Sequence, residues 1–334
     1  MRARWRSLTV ATLLLAVSPP AVAETTTLRI SRPLDLSVLP LLVMEHEHLI
    51  ERVAEAMNLG TVTVTWNTAT KPDAPAELTG GQADLATVDL AAFLLAADAS
   101  AGTASEIRGV GAVAQRPYVL VTRNDAVRTI RDFNNTDRIA VPDVKASGPA
   151  VMLEMAAAQE WGAEHYNKLD SLLVARPDEP AAMALLSGKG DIDAHFSRTP
   201  YADGELADPK VHRVMDSFDV AGPHSSGVLA TTSQFRAANP TMSAAILSAL
   251  EQADDFIKKN PGAAAEIFSG MAKDQDIPLE DLTDMIGDPD LVYTAAPAGE
   301  MRVAEFMHHI GRLKHQPASW REWFLPEAKD LSGN

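Results

Sequence analysis

The amino-acid sequence predicts an α/β protein of two lobes, each a doubly wound sheet with helices on both faces, joined by two crossing segments. Three observations carry that expectation. Strand-like runs trade places with stretches of helical apolar spacing, twice over, which is the order a helix-covered sheet requires. Each block is closed by a long extended segment, "IRGVGAVAQRPYVLVTRND" and then "HRVMDSFDVAGPHSSGVLATT". Finally, one phrase is written twice: in "ELTGGQADLATVDLAA" and "ALLSGKGDIDAHFSRTPY" the residues Leu78, Gly81, Asp84 and Leu85 match Leu185, Gly188, Asp191 and Ile192.

In chain order, "TTTLRIS" alternates as a strand, and "RPLDLSVLPLLVMEHEHLIERVAEAMNLG" carries apolar residues at helical spacing up to Gly60. "TVTVTWN" is a β-branched strand; after the loop "TATKPDAP" a short helix ends at Gly80 and Gly81. "ADLATVD" is a strand and "LAAFLLAADAS" a helix, and together these predict a parallel sheet. Beyond the first crossing, which holds Pro117, the alternation restarts with "RIAVPDV", "SGPAVMLEMAAAQEWG", "SLLVAR", "EPAAMALLSG" and "DIDAHFS". After the second crossing the chain is mostly helical, with Pro240 and Pro261 as helix-start signals. The close, "SWREWFLPE", reads as a terminal segment docked on the first lobe through Trp320, Trp323 and Phe324. The expected division is 24–116 for lobe 1, 117–222 for lobe 2, and 223–334 for a return crossing and C-terminal helices packed on lobe 1.

At the N-terminus, "MRARWR", "SLTVATLLLAV" and "AVA" have the basic, apolar and small-residue order of a signal peptide, with cleavage expected after Ala23. The apolar part is shorter than the roughly 20 residues of a membrane span. No cysteine occurs, which removes disulfides, thiol chemistry and a lipid-attachment site. A free periplasmic protein of about 310 residues, ample for two domains, is therefore expected. The net charge of −16 becomes −19 once Arg2, Arg4 and Arg6 leave with the leader, which argues against nucleic acid or an anionic membrane as partner. A small anion is not excluded, because it senses charges within a screening length of about 8 Å.

Three stretches, "ELTGGQADLATVD", "IAVPDVKASGPAVMLE" and "DEPAAMALLSGKGDIDAHFSRTPY", in this order after a leader, resemble the periplasmic solute-binding proteins of the nitrate, sulfonate and taurine type, which serve ABC importers. Proteins similar to thiamine-pyrimidine synthase are wider relatives. The resemblance spans nearly the whole chain after the leader. It implies the type II periplasmic binding fold, closure of two lobes on a ligand, and docking of the loaded protein on a membrane permease. It implies no cofactor, metal or reaction, and a monomer is expected. The family's Gly-x-x-Asp-Ala fits Gly190 to Asp193 as well as the internal repeat fits Gly188 to Asp191, so the equivalent aspartate stays open between Asp191 and Asp193.

In a doubly wound sheet, ligands sit beyond the carboxyl ends of the strands. That rule selects the loops holding Arg32, Thr68, Thr87 and Asp89, Lys145, Ser147 and Gly148, and Ser197, Arg198 and Tyr201. Ser147 and Gly148 open a helix whose free N–H groups favour an anion, with Lys145 beside them; the plain alternative is a serine cap and a solvated lysine. Arg32, Arg198 and Arg116 could each offer a bidentate fork, or form ordinary salt bridges. Thr87 could donate to an acceptor. Asp89 would repel an anion and suit an amine, which brings an amino-sulfonate into view. Trp66 and Tyr201 could stack on a heteroaromatic ligand or simply pack. Phe196 is a contact by position alone.

Rival chemistries find little support in the sequence. His46 and His48 are two apart on a helix and share no face, and Ile50 stands where a second zinc-binding histidine would be needed. "AGPHSSG" is not a nucleophile elbow. From another function class there remains a metal-independent enzyme outside the cytoplasm using His195 or His224 as a base. The duplicated aspartates read as scaffold, each tying a helix-ending glycine turn into the next strand.

Overall fold

A computed structural model describes residues 23–68, 73–272 and 277–334. The leader, up to its last residue, and the middle of "TATKPDAP" lie outside the described residues. Eleven strands are present among the described residues: β1 Thr27–Arg32, β2 Thr63–Thr68, β3 Leu85–Asp89, β4 Ile107–Gln115, β5 Val119–Thr122, β6 Ile139–Val141, β7 Leu173–Ala175, β8 Ala194–Ser197, β9 His212–Asp216, β10 Ser225–Thr232 and β11 Val292–Tyr293. They form two sheets, β11-β4-β10-β3-β1-β2 and β7-β6-β8-β5-β9.

Without the edge strand β11, the two orders are one pattern: a parallel trio (β2-β1-β3; β7-β6-β8), then a strand antiparallel to it, then the strand beyond. In each sheet that antiparallel strand, β10 or β5, is the one that has just crossed from the other lobe. The sheets are therefore mixed, where the sequence predicted parallel ones. A crossing strand enters its new sheet from the cleft side, running against strands that point toward the cleft. Pro117, which can donate no ladder hydrogen bond, separates β4 from β5.

The long helix expected after β1 is broken. Helices run Leu39–His46 and Leu49–Ala56, and His48 between them is left-handed at φ 51°. A left-handed non-glycine residue costs about 1–2 kcal/mol; burial of Leu49 and Ile50 on the far side of the break offsets it. The C-terminal close docks on the first sheet: Gly109 N–H donates to Trp323 O and Leu325 N–H to Gly109 O, both at 2.8 Å. A Cβ on Gly109 would meet the Phe324 ring at 2.6 Å, so only glycine admits that ring.

One apolar cluster fills the first lobe, including Leu41, Leu42, Met242, Ile246 and Phe268. A second cluster is shared: it joins Phe93 and Leu94 of the first lobe to Leu120, Val151 and Met155 of the second, with Met307 and Phe324 of the C-terminal region. Arg312 of that region also donates to Lys145 O at 3.0 Å. The lobes are thus continuous through apolar packing in one region and meet through charged groups in another.

The twice-written phrase resolves into one turn in two lengths. Gly81 and Gly188 are both left-handed, at φ 66° and 61°. Asp84 accepts from Arg29 N–H at 2.8 Å, and Asp193 accepts from Arg138 N–H at 2.8 Å, each tying its turn to the neighbouring strand. Asp193 is therefore the structural counterpart of Asp84, and the turn of the second lobe is two residues longer. Asp191, the match suggested by the repeat, lies exposed and pairs with Arg176 at 2.6 Å.

Candidate functional site

The C-terminal ends of β1 and β3 in the first lobe face the start of helix Gly148–Trp161 and the segment after β8 in the second. Two aspartates of the first lobe do double duty there. Asp35 caps the short 3-10 helix Leu36–Val38, accepting from Ser37 N–H at 2.7 Å, and reaches Arg198 Nη2 at 3.1 Å. Asp89 caps helix Leu90–Ser100, accepting from Ala91 N–H at 3.0 Å, and the same oxygen accepts from Gly148 N–H of the other lobe at 2.9 Å. Its second oxygen accepts from Tyr118 Oη at 3.1 Å.

Arg198 stands between two acids, with its Nε 2.6 Å from Asp178 Oδ2. Behind Asp178 lies His195, fully buried, 3.4 Å from Asp178 Oδ1 and 2.8 Å from Glu205 Oε1. Burial works against ionisation of Asp35 and Asp178, but the Arg198 and Arg116 guanidiniums outweigh it and hold both below the usual carboxylate range. His195 also resists burial: the carboxylates of Asp178 and Glu205, facing its two ring nitrogens as acceptors, push it up to about 9. Burial moves Asp89 the other way, upward, against the bonds from Tyr118 and Ala91.

Arg116, next to Pro117 in the first crossing, is 2% exposed. Its Nη1 donates to Thr199 O at 2.8 Å and lies 3.8 Å from Asp35. Its Nε and Nη2 find no hydrogen-bond partner among the described residues. Those two nitrogens form the side-on edge of the guanidinium fork, the edge that takes two oxygens of one anion. Burial and the neighbouring Arg198 lower its pKa despite Asp35, so the cation is under-compensated. Ser197 Oγ and Thr87 Oγ1 are likewise buried and without partner among the described residues.

The other residues marked by sequence are placed as follows. Arg32 is buried beneath its own lobe: it pairs with Glu45, lies 5.8 Å from the Trp66 ring centroid, and so turns toward the first lobe. Thr68 and Lys145 are exposed. Ser147 is a buried cap whose hydroxyl is spent on Ala150 N–H and Asp143 O. Gly148 offers its N–H to Asp89, and a Cβ there would meet the Tyr118 hydroxyl at 2.6 Å. Tyr201, half-buried at the start of helix Tyr201–Leu206, is pushed up to about 12 by burial and by Asp35 and Asp178. Phe196 is buried against Tyr118, at 6.3 Å between ring centroids. Sequence reasoning missed Asp35 and Asp178, whose only signal was an acid just before a helix, or at its first residue, after a strand.

Neither histidine proposed as a base is free for that task. His195 is held as the imidazolium between two carboxylates. His224, pushed down to about 4 by burial, has Nε2 2.8 Å from Ser217 Oγ and Nδ1 3.1 Å from Ser225 O, and stacks on Tyr118. No group of three or more metal-ligating side chains converges among the described residues, and no described helix is long and apolar enough to cross a membrane. A cavity of about 800 Å³ lies elsewhere, on the first lobe beside Asp254 and Tyr293. A smaller one of about 510 Å³ lies where Pro200 and Asp203 face Asp284 and Asp288.

No protein-family model matches the sequence, and no curated protein matches it. Solved structures do match the fold. The alkanesulfonate-binding protein SsuA of Xanthomonas axonopodis pv. citri, bound to MOPS, is 18% identical at a TM-score of 0.64, over 88% of this chain and 96% of that one. The periplasmic aliphatic sulphonate binding protein SsuA of Escherichia coli is 16% identical at 0.67, over 90% and 98%. The periplasmic nitrate-binding protein NrtA of Synechocystis PCC 6803 is 13% identical at 0.68, over 89% and 84%. The chain has the periplasmic binding protein fold, as the sequence predicted, and these neighbours are binding proteins by name.

Proposed function

We propose that this chain is the exported solute-binding component of an ABC importer, capturing a small anion of the sulfonate, taurine or nitrate class between its lobes and handing it to a membrane permease. It acts in the periplasm after cleavage following Ala23, without cofactor or metal, as a monomer, and catalyses no reaction. The lobes divide near 116/117 and 222/223.

The observation that carries this reading is Arg116: a guanidinium 2% exposed, anchored through Nη1, with Nε and Nη2 unpartnered among the described residues. An arginine left so is costly, because a buried charge and two desolvated donors have nothing to meet. Two oxygens of one nitrate, sulfonate or carboxylate satisfy that edge together. Arg116 lies in a crossing and itself reaches Thr199 O of the second lobe and Asp35 of the first, so an anion on it would sit where the hinge and the lobes meet. It therefore binds the closed arrangement better than an open one, the differential affinity that closure requires. Arg198 is committed to Asp35 and Asp178 and shapes the site rather than holding solute.

Calorimetric titration of the mature chain with nitrate, methanesulfonate, taurine, acetate and a pyrimidine tests the reading. The buffer is an amine hydrochloride, because sulfonate buffers are themselves candidate ligands. One anion binds with micromolar or tighter affinity and is recovered unchanged. Turnover of any of them, or binding of the pyrimidine alone, contradicts the proposal.

A further inference from the structure

The segment that anchors Arg116 is short. Residues 198–200 join β8 to helix Tyr201–Leu206, and the Thr199 carbonyl in their middle accepts from Arg116 Nη1 at 2.8 Å. Where that carbonyl goes, the free edge of the Arg116 guanidinium follows. Both flanks of the segment lead back to one side chain. On the far flank, Glu205 of the helix places Oε1 2.8 Å from His195 Nδ1. On the near flank, Arg198 Nε lies 2.6 Å from one Asp178 oxygen, and the other Asp178 oxygen lies 3.4 Å from His195 Nε2.

His195, Glu205 and Asp178 are all buried, so a partner lost here is not replaced by bulk water. Only the doubly protonated imidazole has a donor on each nitrogen; the neutral ring turns a lone pair toward one of the two carboxylates. With the proton in place, Glu205, His195, Asp178 and Arg198 alternate in sign and their charges cancel. Without it, one buried acid lacks a donor, and the flank that it holds can shift. Among the described residues, the charged groups facing the ring come from helices Asp178–Ser187 and Tyr201–Leu206; β5 and β6, beside it in the sheet, pair Val121 and Ala140 with it.

We propose that His195 is a positioning residue of the solute site: its imidazolium clasps Glu205 and Asp178, fixes residues 198–200 between them, and so links anion capture at Arg116 to one buried proton. The role of His195 in capture rests on the reading of Arg116 as the solute's anchor. The linkage is reciprocal, the proton favouring the anion and the anion the proton.

The test titrates nitrate and methanesulfonate into the full mature chain, in amine hydrochloride buffers from about pH 7 to about pH 10. The two carboxylates push His195 up to about 9, so the ring is charged below that value and loses its proton as the pH rises through it. Wild-type affinity should hold near neutrality and fall about tenfold across the range. Glu205→Gln should keep the affinity and lose the fall, because its amide can meet Nδ1 of either form of the ring, as acceptor or as donor. His195→Gln leaves Glu205 without a cation and should bind about tenfold more weakly near neutrality, with no fall above it. A reading that needs no solute comes from the Ala202 amide, which spans the segment by donating to Arg198 O at 2.9 Å. Its hydrogen exchange near pH 7 should be faster in His195→Gln than in the wild type, at unchanged far-ultraviolet circular dichroism. Wild-type affinity that does not vary with pH, a fall that survives in Glu205→Gln, or equal Ala202 exchange in the two folded chains overturns the positioning role. If His195→Gln does not fold, the Glu205→Gln profile decides. If neither anion binds the wild type, the proposed function fails, and Ala202 exchange decides the role of His195 by itself.

Discussion

Two regions of this molecule gather carboxylates, and they treat them in opposite ways. At the seam between the lobes, Asp35 and Asp178 are each 6% exposed and both face guanidiniums, which hold them ionised. In the groove of the first lobe, Asp254 is met by Glu251 and Asp255, and burial with these like charges pushes it up to about 8. Glu300, fully buried with both oxygens lacking a hydrogen-bond partner among the described residues, is also pushed up to about 8 by burial. The seam is an arrangement of maintained charge, whereas the groove and the Glu300 site keep their acids protonated near neutrality. The groove, which encloses about 800 Å³, is thus electrostatically the quieter of the two regions.

Breaking the seam should have the largest effect on stability. Arg198→Met removes the guanidinium that lies closest to both Asp35 and Asp178, and removal of one member of a buried pair costs about 3–5 kcal/mol. Urea unfolding should register a loss in that range, and a loss below about 1 kcal/mol would mean that the acids are solvated.

The pH response separates the two regions by sign. Asp35 and Asp178 have lowered pKa values, so their contribution is present above the ordinary value of 3.8 and lost as the pH falls below it. Glu300 and Asp254 are raised from 4.5 and 3.8 to about 8. Folding then costs nothing through them at low pH, and stability declines as the pH rises toward 8. Glu300→Gln should therefore melt higher than wild type at pH 8 and gain less at pH 5. An equal shift at both values would show that Glu300 does not titrate between them.

The smallest difference expected is between the two aspartates of the longer turn. Asp193→Ala removes an anchor on Arg138 N–H and should cost about 1–2 kcal/mol. Asp191→Ala affects only an exposed ion pair with Arg176 and should stay within about 0.5 kcal/mol. Equal losses in denaturant would put the strand anchor elsewhere.

That turn also shows what a sequence can and cannot disclose. Strand and helix alternation and the doubled phrase were enough for the two-lobe plan, because periodicity and helix-ending glycines are local signals. The antiparallel entry of β5 and β10 was hidden, since strand direction depends on where a crossing re-enters a sheet. Arg116, Ser197, Arg198 and Asp89 could be named as candidates from their place near strand ends and crossings. Arg32 follows the same rule, yet it turns to Glu45, an acid one helix away that no local pattern connects to it. Asp35 and Asp178 were passed over because a single acid near a helix start looks like an ordinary cap, and their second partners come from other parts of the chain.

The proposed solute site turns on the free edge of Arg116, so the decisive experiment is calorimetric titration of the preferred anion into wild type and Arg116→Met. Binding should be at least about a hundredfold weaker in the variant, in a chain that remains folded. Equal affinity in the two proteins would contradict it and move the solute to another part of the molecule.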